Sequence, residues 1–184
     1  MPESNPIESA TQVVRFWSEA GPERWFRKDE AFDAEFRERF LATHEAAARG
    51  ELDSWRRTAE GSLALLILLD QFPRNAFRGS GRVYATDALA RLVAQQAIGD
   101  GHREQVPQAL RGFFHLPFSH SEWLPDQKRA VELCQALGEE PLRWGRHHHD
   151  VVARFGRFPH RNALLGRNST HEEREFLAQG GFAG

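Results

Sequence analysis

Cysteine is nearly absent: Cys134 stands alone among 184 residues. One thiol forms no intramolecular disulfide and no cysteine zinc site. It reads as a small buried hydrophobe on a helix. Long apolar runs are missing too. The longest, Leu63 to Leu69, is too short to span a bilayer, so no membrane role is expected. The start, Met1-Pro2-Glu3-Ser4-Asn5, has neither the basic residues nor the apolar stretch of a secretion signal, which points to the cytoplasm. Charge of one sign is lacking as well. Twenty-four Lys+Arg oppose 26 Asp+Glu, for a formal net charge of −2, which argues against a nucleic-acid partner. There is no His-Glu-x-x-His, no Gly-x-Ser-x-Gly and no phosphate-binding glycine loop. Strand and hairpin signals are also absent.

What is present is helical. With 40% hydrophobic and 27% charged residues, the chain reads as one globular domain over residues 1–184. A first helix is expected from an Asn5-Pro6-Ile7-Glu8 start, with Ile7, Ala10, Val13, Val14 and Trp17 inward and Gly21 at its end. Trp25 and Phe26 should cover the base of a second helix, about Asp29 to Arg49, whose stripe is Phe32, Phe36, Phe40 and Ala47. The third, about Thr58 to Phe72, is apolar all round at Leu63 to Leu69, so it should be the buried central helix. The fourth covers about Thr86 to Ile98, with Leu89, Leu92, Val93 and Ile98 inward. A fifth starts near Pro107. Ser119-x-x-Glu122 can cap the sixth, which runs to Gly138. The seventh runs from Glu140-Pro141 to Phe155, and its His147, His148 and His149 point in three directions. Thr170 to Glu173 is a capping box for the last helix. About eight helices with short connections make an all-α fold.

Two stretches are unusual for connections. Phe155 to Thr170 packs arginines, a histidine and two asparagines between phenylalanines and glycines. Phe72-Pro73-Arg74-Asn75-Ala76-Phe77-Arg78-Gly79 echoes it. Each follows an apolar helix and leads through glycine to a threonine at a helix start. Such self-similarity suggests stacked helical pairs.

Three motifs carry a resemblance. Leu69-Asp70-Gln71-Phe72-Pro73-Arg74-Asn75, Pro117-Phe118-Ser119-His120-Ser121-Glu122 and Phe155-Gly156-Arg157-Phe158-Pro159-His160-Arg161-Asn162 resemble the signatures of the bacterial family known as domain of unknown function 924. The resemblance implies an all-α fold similar to tetratricopeptide repeats, a right-handed superhelix of antiparallel helical pairs. It implies no activity. His148 matches the family's usual histidine and Asp150 an acidic position. His115 departs from the pattern, where tyrosine is usual, so a chemical role for His115 is in doubt.

The candidate site residues are Asp70, Arg74, Asn75, His120, Glu122, His148, Arg157, His160, Arg161 and Asn162. They should form one polar focus from the ends of the third and seventh helices and the start of the sixth. Each taken alone reads first as structural, with guanidinium and amide groups tying loop carbonyls and helix ends, and Asp70 and Glu122 neutralising two arginines. Taken together they suggest a binding or scaffold module for a peptide or small anionic ligand, with Arg167 and the helix starts near Thr86 and Thr170 contributing. The alternative is a small hydrolase-type enzyme using His120, Glu122 and His160. No metal and no cofactor is expected. His44, His102 and His171 read as surface or helix-terminal residues.

Overall fold

The computed structural model describes residues 6–182. Among them no strand forms, and seven helices have eight or more residues. They are α1 (Ala10–Ala20), α2 (Glu30–Ala48), α3 (Ala59–Leu66), α4 (Asp87–Gly99), α5 (Leu124–Gln135), α6 (Glu139–Phe155) and α7 (His171–Ala178). Among the described residues, no helix is long and apolar enough to cross a membrane. The chain divides into two compact units. One holds the described residues up to Arg78 together with Arg82–Pro117. The other holds Gly79–Gly81 and the described residues from Phe118 onward.

In the first unit, α1 opens later than its sequence suggests. Ser9 is the cap: its hydroxyl accepts from the Gln12 N–H, and the Gln12 side chain accepts from the Ser9 N–H at 2.8 Å. Asn5 lies outside the described residues. Ile7 precedes the helix and is 53% exposed rather than inward. Asp29 caps α2 by accepting from the Phe32 N–H at 3.1 Å. The expected stripe of Phe32, Phe36 and Phe40 is buried and meets Phe16 and Trp17 of α1 ring to ring. Only one of the two aromatics between these helices turns inward. Trp25 donates its indole N–H to the Trp17 carbonyl, while Phe26 stays 69% exposed.

The buried helix is α3. Each residue from Leu63 to Leu69 is at most 1% exposed, and burying one leucine side chain is worth about 1.5–3 kcal/mol. The helix does not stop at Phe72. It widens into a π turn over Ile67–Gln71 and resumes as Phe72–Ala76. Pro73 explains the change of pitch, because it has no N–H to give the carbonyl four residues back. In the π turn the Phe72 N–H reaches the Ile67 carbonyl instead. Two carbonyls are thereby released in the interior. Leu68 accepts from the His44 ring at 2.9 Å, and Leu69 accepts from the Thr86 hydroxyl. His44 is therefore a buried residue, stacked on Phe72, and not a surface one. His102 is also buried, with its Nδ1 2.9 Å from the Ser62 hydroxyl.

α4 turns a different face inward than its leucines suggest. Ala90, Val93, Ala94 and Ala97 are buried, and Leu92 is 54% exposed. Small residues let α4 lie close against α3. Where a fifth helix was expected, Gln108–Phe114 forms a 3-10 segment that buries Leu110, Phe113 and Phe114.

The second unit is built on an antiparallel hairpin of α5 and α6, joined at Gly138. At their crossing, a Cβ on Gly145 would lie 3.0 Å from the Cys134 Sγ, so only glycine admits the buried thiol without adjustment. α5 has no cap from Ser119 or Glu122. Its first turn is held by Ser121, which accepts from the Trp123 N–H and donates to Asp126 at 2.6 Å. Ser119 is buried, and its carbonyl accepts from the Gln127 amide at 2.7 Å. Gly156 adopts the left-handed conformation, φ 70°, that ends α6. A 3-10 turn, Pro159–Arg161, follows. α7 begins with the expected Thr170 and Glu173 capping box. Val151, Val152 and Phe158 form this unit's core, with Leu124, Phe155, Phe176 and Phe182 packed against it.

Candidate functional site

Glu122 and the loop after α6 lie in the second unit, and Asp70, Arg74 and Asn75 in the first. In the first unit the polar residues are engaged with one another. Arg74 forks onto Asp87 at 2.9 and 3.1 Å and donates to the Asp70 carbonyl at 2.6 Å. The Asp70 carboxylate, 1% exposed, lies 3.3 Å from the same guanidinium and accepts from Gln71 at 2.6 Å. Burial works against the Arg74 charge, but Asp70 and Asp87 outweigh it and raise its pKa. Asn75 and Arg78 each donate at 2.6 Å to Asp33, a buried carboxylate that the sequence reading passed over. These contacts fix the π turn and the end of its helix, as the structural reading expects.

The second unit holds His120, Glu122, His148, Arg157, His160, Arg161 and Asn162. Two carboxylates here are fully engaged. Glu122 accepts a fork from Arg167 at 2.6 and 2.9 Å and the Phe158 N–H at 2.8 Å. Burial pushes Glu122 up, but Arg167 and the Phe158 N–H more than offset this and hold it below the usual range. Glu173, 2% exposed, accepts from Arg157 at 2.7 and 2.9 Å, from Asn162 at 3.2 Å and from the Thr170 N–H at 2.7 Å. The Arg157 hydrogen bonds are the main reason its pKa falls to about 2.

The histidines gather around Phe158, which is wholly buried. The His148 ring lies 5.8 Å from it, His160 5.6 Å, and the Arg161 guanidinium 4.5 Å over its face. His120 is 6.3 Å from His148. His148 Nδ1 donates to the Trp144 carbonyl at 2.7 Å, which leaves Nε2 as the acceptor nitrogen. Burial pushes both His148 and His160 down to about 4, and the Arg161 charge adds to it, so both rings are neutral at pH 7. The triple histidine diverges only in part: His149 turns to Asp150 at 3.0 Å, whereas His147 and His148 both lie against the Phe182 ring. Among the described residues, no group of three or more histidine, cysteine or carboxylate side chains is placed to hold a metal ion.

One participant was missed. The Phe182 ring lies 4.7 Å from His148, 5.2 Å from His160 and 5.3 Å from His147. The Gly-Gly-Phe run that closes α7 was the available signal, because paired glycines after a helix reverse the chain and return an apolar residue to the core.

The geometry defines an all-α protein with a carboxylate clamp beside each Phe-Pro turn and a neutral histidine cluster in its second unit. The chain belongs to the family described as bacterial protein of unknown function (DUF924), whose model matches residues 13–181. A solved structure of a protein of unknown function, ATU0120 from Agrobacterium tumefaciens, is similar at 55% identity, with a TM-score of 0.91 over 93% of this chain and 97% of that one. No curated protein matches.

Proposed function

We propose that the chain is a binding module and that its site is the cluster of His120, His148 and His160 beside Arg161. We propose further that the ligand is anionic, a peptide carboxylate or a phosphate. The observation that carries this is the gathering of His148, His160 and Arg161 on one buried ring, Phe158. The Arg161 guanidinium can donate to an oxyanion, and an anion entering there would favour the protonated form of the two rings, in which each gains a second N–H to donate. The antiparallel α5–α6 hairpin supports the further reading of the chain as a tetratricopeptide-like scaffold of helical pairs.

The hydrolase alternative shares its carboxylate with the clamp: Glu122 already accepts from Arg167 and the Phe158 N–H, an arrangement that suits a structural role better than a general base's partner. Isothermal titration with inorganic phosphate and with acetate tests the binding reading. Binding should weaken about tenfold in His160→Gln, a loss of about 1.4 kcal/mol, at unchanged melting temperature. Equal binding by the two proteins would refute it.

A further inference from the structure

The chain that follows α7 is held against histidines. Two glycines turn it: Gly180 is left-handed, φ 79°, and the Gly181 N–H returns to the Phe176 carbonyl at 2.9 Å. A Cβ on Gly181 would lie 2.5 Å from that carbonyl oxygen, so the turn leaves no room for a side chain there. Past the turn, the Phe182 ring meets His148 at 4.7 Å, His160 at 5.2 Å, His147 at 5.3 Å and Phe158 at 5.9 Å. The Phe182 carbonyl faces the His160 ring.

Neither packed ring is well placed to take a second proton. His148 Nδ1 already donates to the Trp144 carbonyl at 2.7 Å, so the proton would go to Nε2. His160 Nδ1 is enclosed and meets no hydrogen-bond partner among the described residues. The charged and titratable groups facing the pair are His120 and Glu122 ahead of α5, His147 on α6, Arg161 on the 3-10 turn and Arg167 ahead of α7. Of these only Glu122 is negative, and it already accepts a fork from Arg167. Burial and the Arg161 charge hold both rings down to about 4, although Glu122 and the Phe182 carbonyl pull His160 the other way. A buried imidazolium is relieved by water. Of the two phenylalanines packed on the rings, Phe158 is wholly buried, whereas Phe182 is part-buried and lies just past a two-glycine turn, so Phe182 is the easier to move.

We propose that Gly180–Phe182 is an acid-released strap: it stays docked while His148 and His160 are neutral, and lets go, with the core of the second unit intact, when they take up protons. The device lies outside the anion-binding reading and stands without it.

The test is an NMR titration of the full chain from pH 7 to pH 4. Docking is read from nuclear Overhauser contacts between the Phe182 ring and the His148 and His160 Cε1–H protons. The core is read from those between the Val151 and Val152 methyls and Phe158. The Phe182 contacts should disappear while the core contacts persist. With both rings near 4 when docked and near 6.5 when free, the ratio of released to docked strap should rise by up to about a hundredfold per pH unit, tenfold for each proton. In His148→Gln and in His160→Gln it should rise by about tenfold at most. Phe182 contacts that last as long as the core, or vanish only together with it, would overturn the proposal. So would a release that keeps its slope in both variants, because another group would then drive it. Should one variant not fold, the other decides, and the parent's slope counts the protons taken up without either.

Discussion

Asn162 donates its side-chain amide to the buried carboxylate of Glu173 at 3.2 Å. Asn75 does the same to Asp33 at 2.6 Å, and an arginine completes each clamp, Arg157 in one and Arg78 in the other. The echo between the two Phe-Pro stretches is therefore chemical. The backbones differ: Phe72–Ala76 is α-helical after a π turn, and Pro159–Arg161 is a 3-10 turn.

Glu173→Gln keeps the shape of the clamp and removes its charge. It should cost about 2 kcal/mol, seen as a lower urea midpoint at unchanged m. Glu173 is held at about 2 when folded, against an ordinary value of 4.5. Its contribution is therefore present above pH 4.5 and lost as the pH falls towards 2. The gap between parent and variant should close over that interval, and a constant gap would contradict the assignment.

His148 and His160 open a second acid window. Both are neutral in the folded chain, with pKa values near 4, while the unfolded chain protonates near 6.5. Between these values the unfolded state binds more protons, so stability falls as the pH drops, by up to about 1.4 kcal/mol per pH unit for each ring. The groups facing His148 are the Trp144 carbonyl, His120, His147 and Arg161. Those facing His160 are Arg161, Glu122, Arg167 and the Phe182 carbonyl. His160→Gln should flatten the melting temperature against pH over this interval. An unchanged slope would count against a neutral His160.

Thr86→Val deletes the hydroxyl that serves the Leu69 carbonyl at the π turn. An interior carbonyl without a donor costs about 1–3 kcal/mol. The expected result is a lower urea midpoint, with faster amide hydrogen exchange concentrated at Ile67–Gln71. Exchange raised evenly along the chain would argue against a local role.

At the α5–α6 crossing, Gly145→Ala gains helix propensity but crowds the Cys134 sulfur. In a Cys134→Ala background the crowding is gone. There the same substitution should be more favourable by about 1 kcal/mol, measured as a double-mutant cycle. Additive effects would mean the two positions do not meet.

Helix order, the α2 stripe and the Thr170 capping box were legible because they depend on local spacing and caps. Three features were not. His44 reads as polar and exposed, and its burial follows from a carbonyl released by the π turn, which depends on Pro73 in another helix. Glu122 sits in a capping pattern, but Arg167, 45 residues away, claims it first. Leu92 loses the inner face of α4 to alanines because close approach to α3 favours small side chains. The division of the candidate residues between two units was not legible either, because sequence proximity says nothing about which interior a loop joins.

The central claim is that the His148 and His160 cluster receives an anion. Its most direct test is a pH titration of the two Cε1–H resonances with and without inorganic phosphate. Phosphate should raise both pKa values from about 4, because burial, which mainly holds the rings neutral, is countered by an anion beside them that favours their charged form. Titration curves that coincide with and without saturating phosphate would contradict the account.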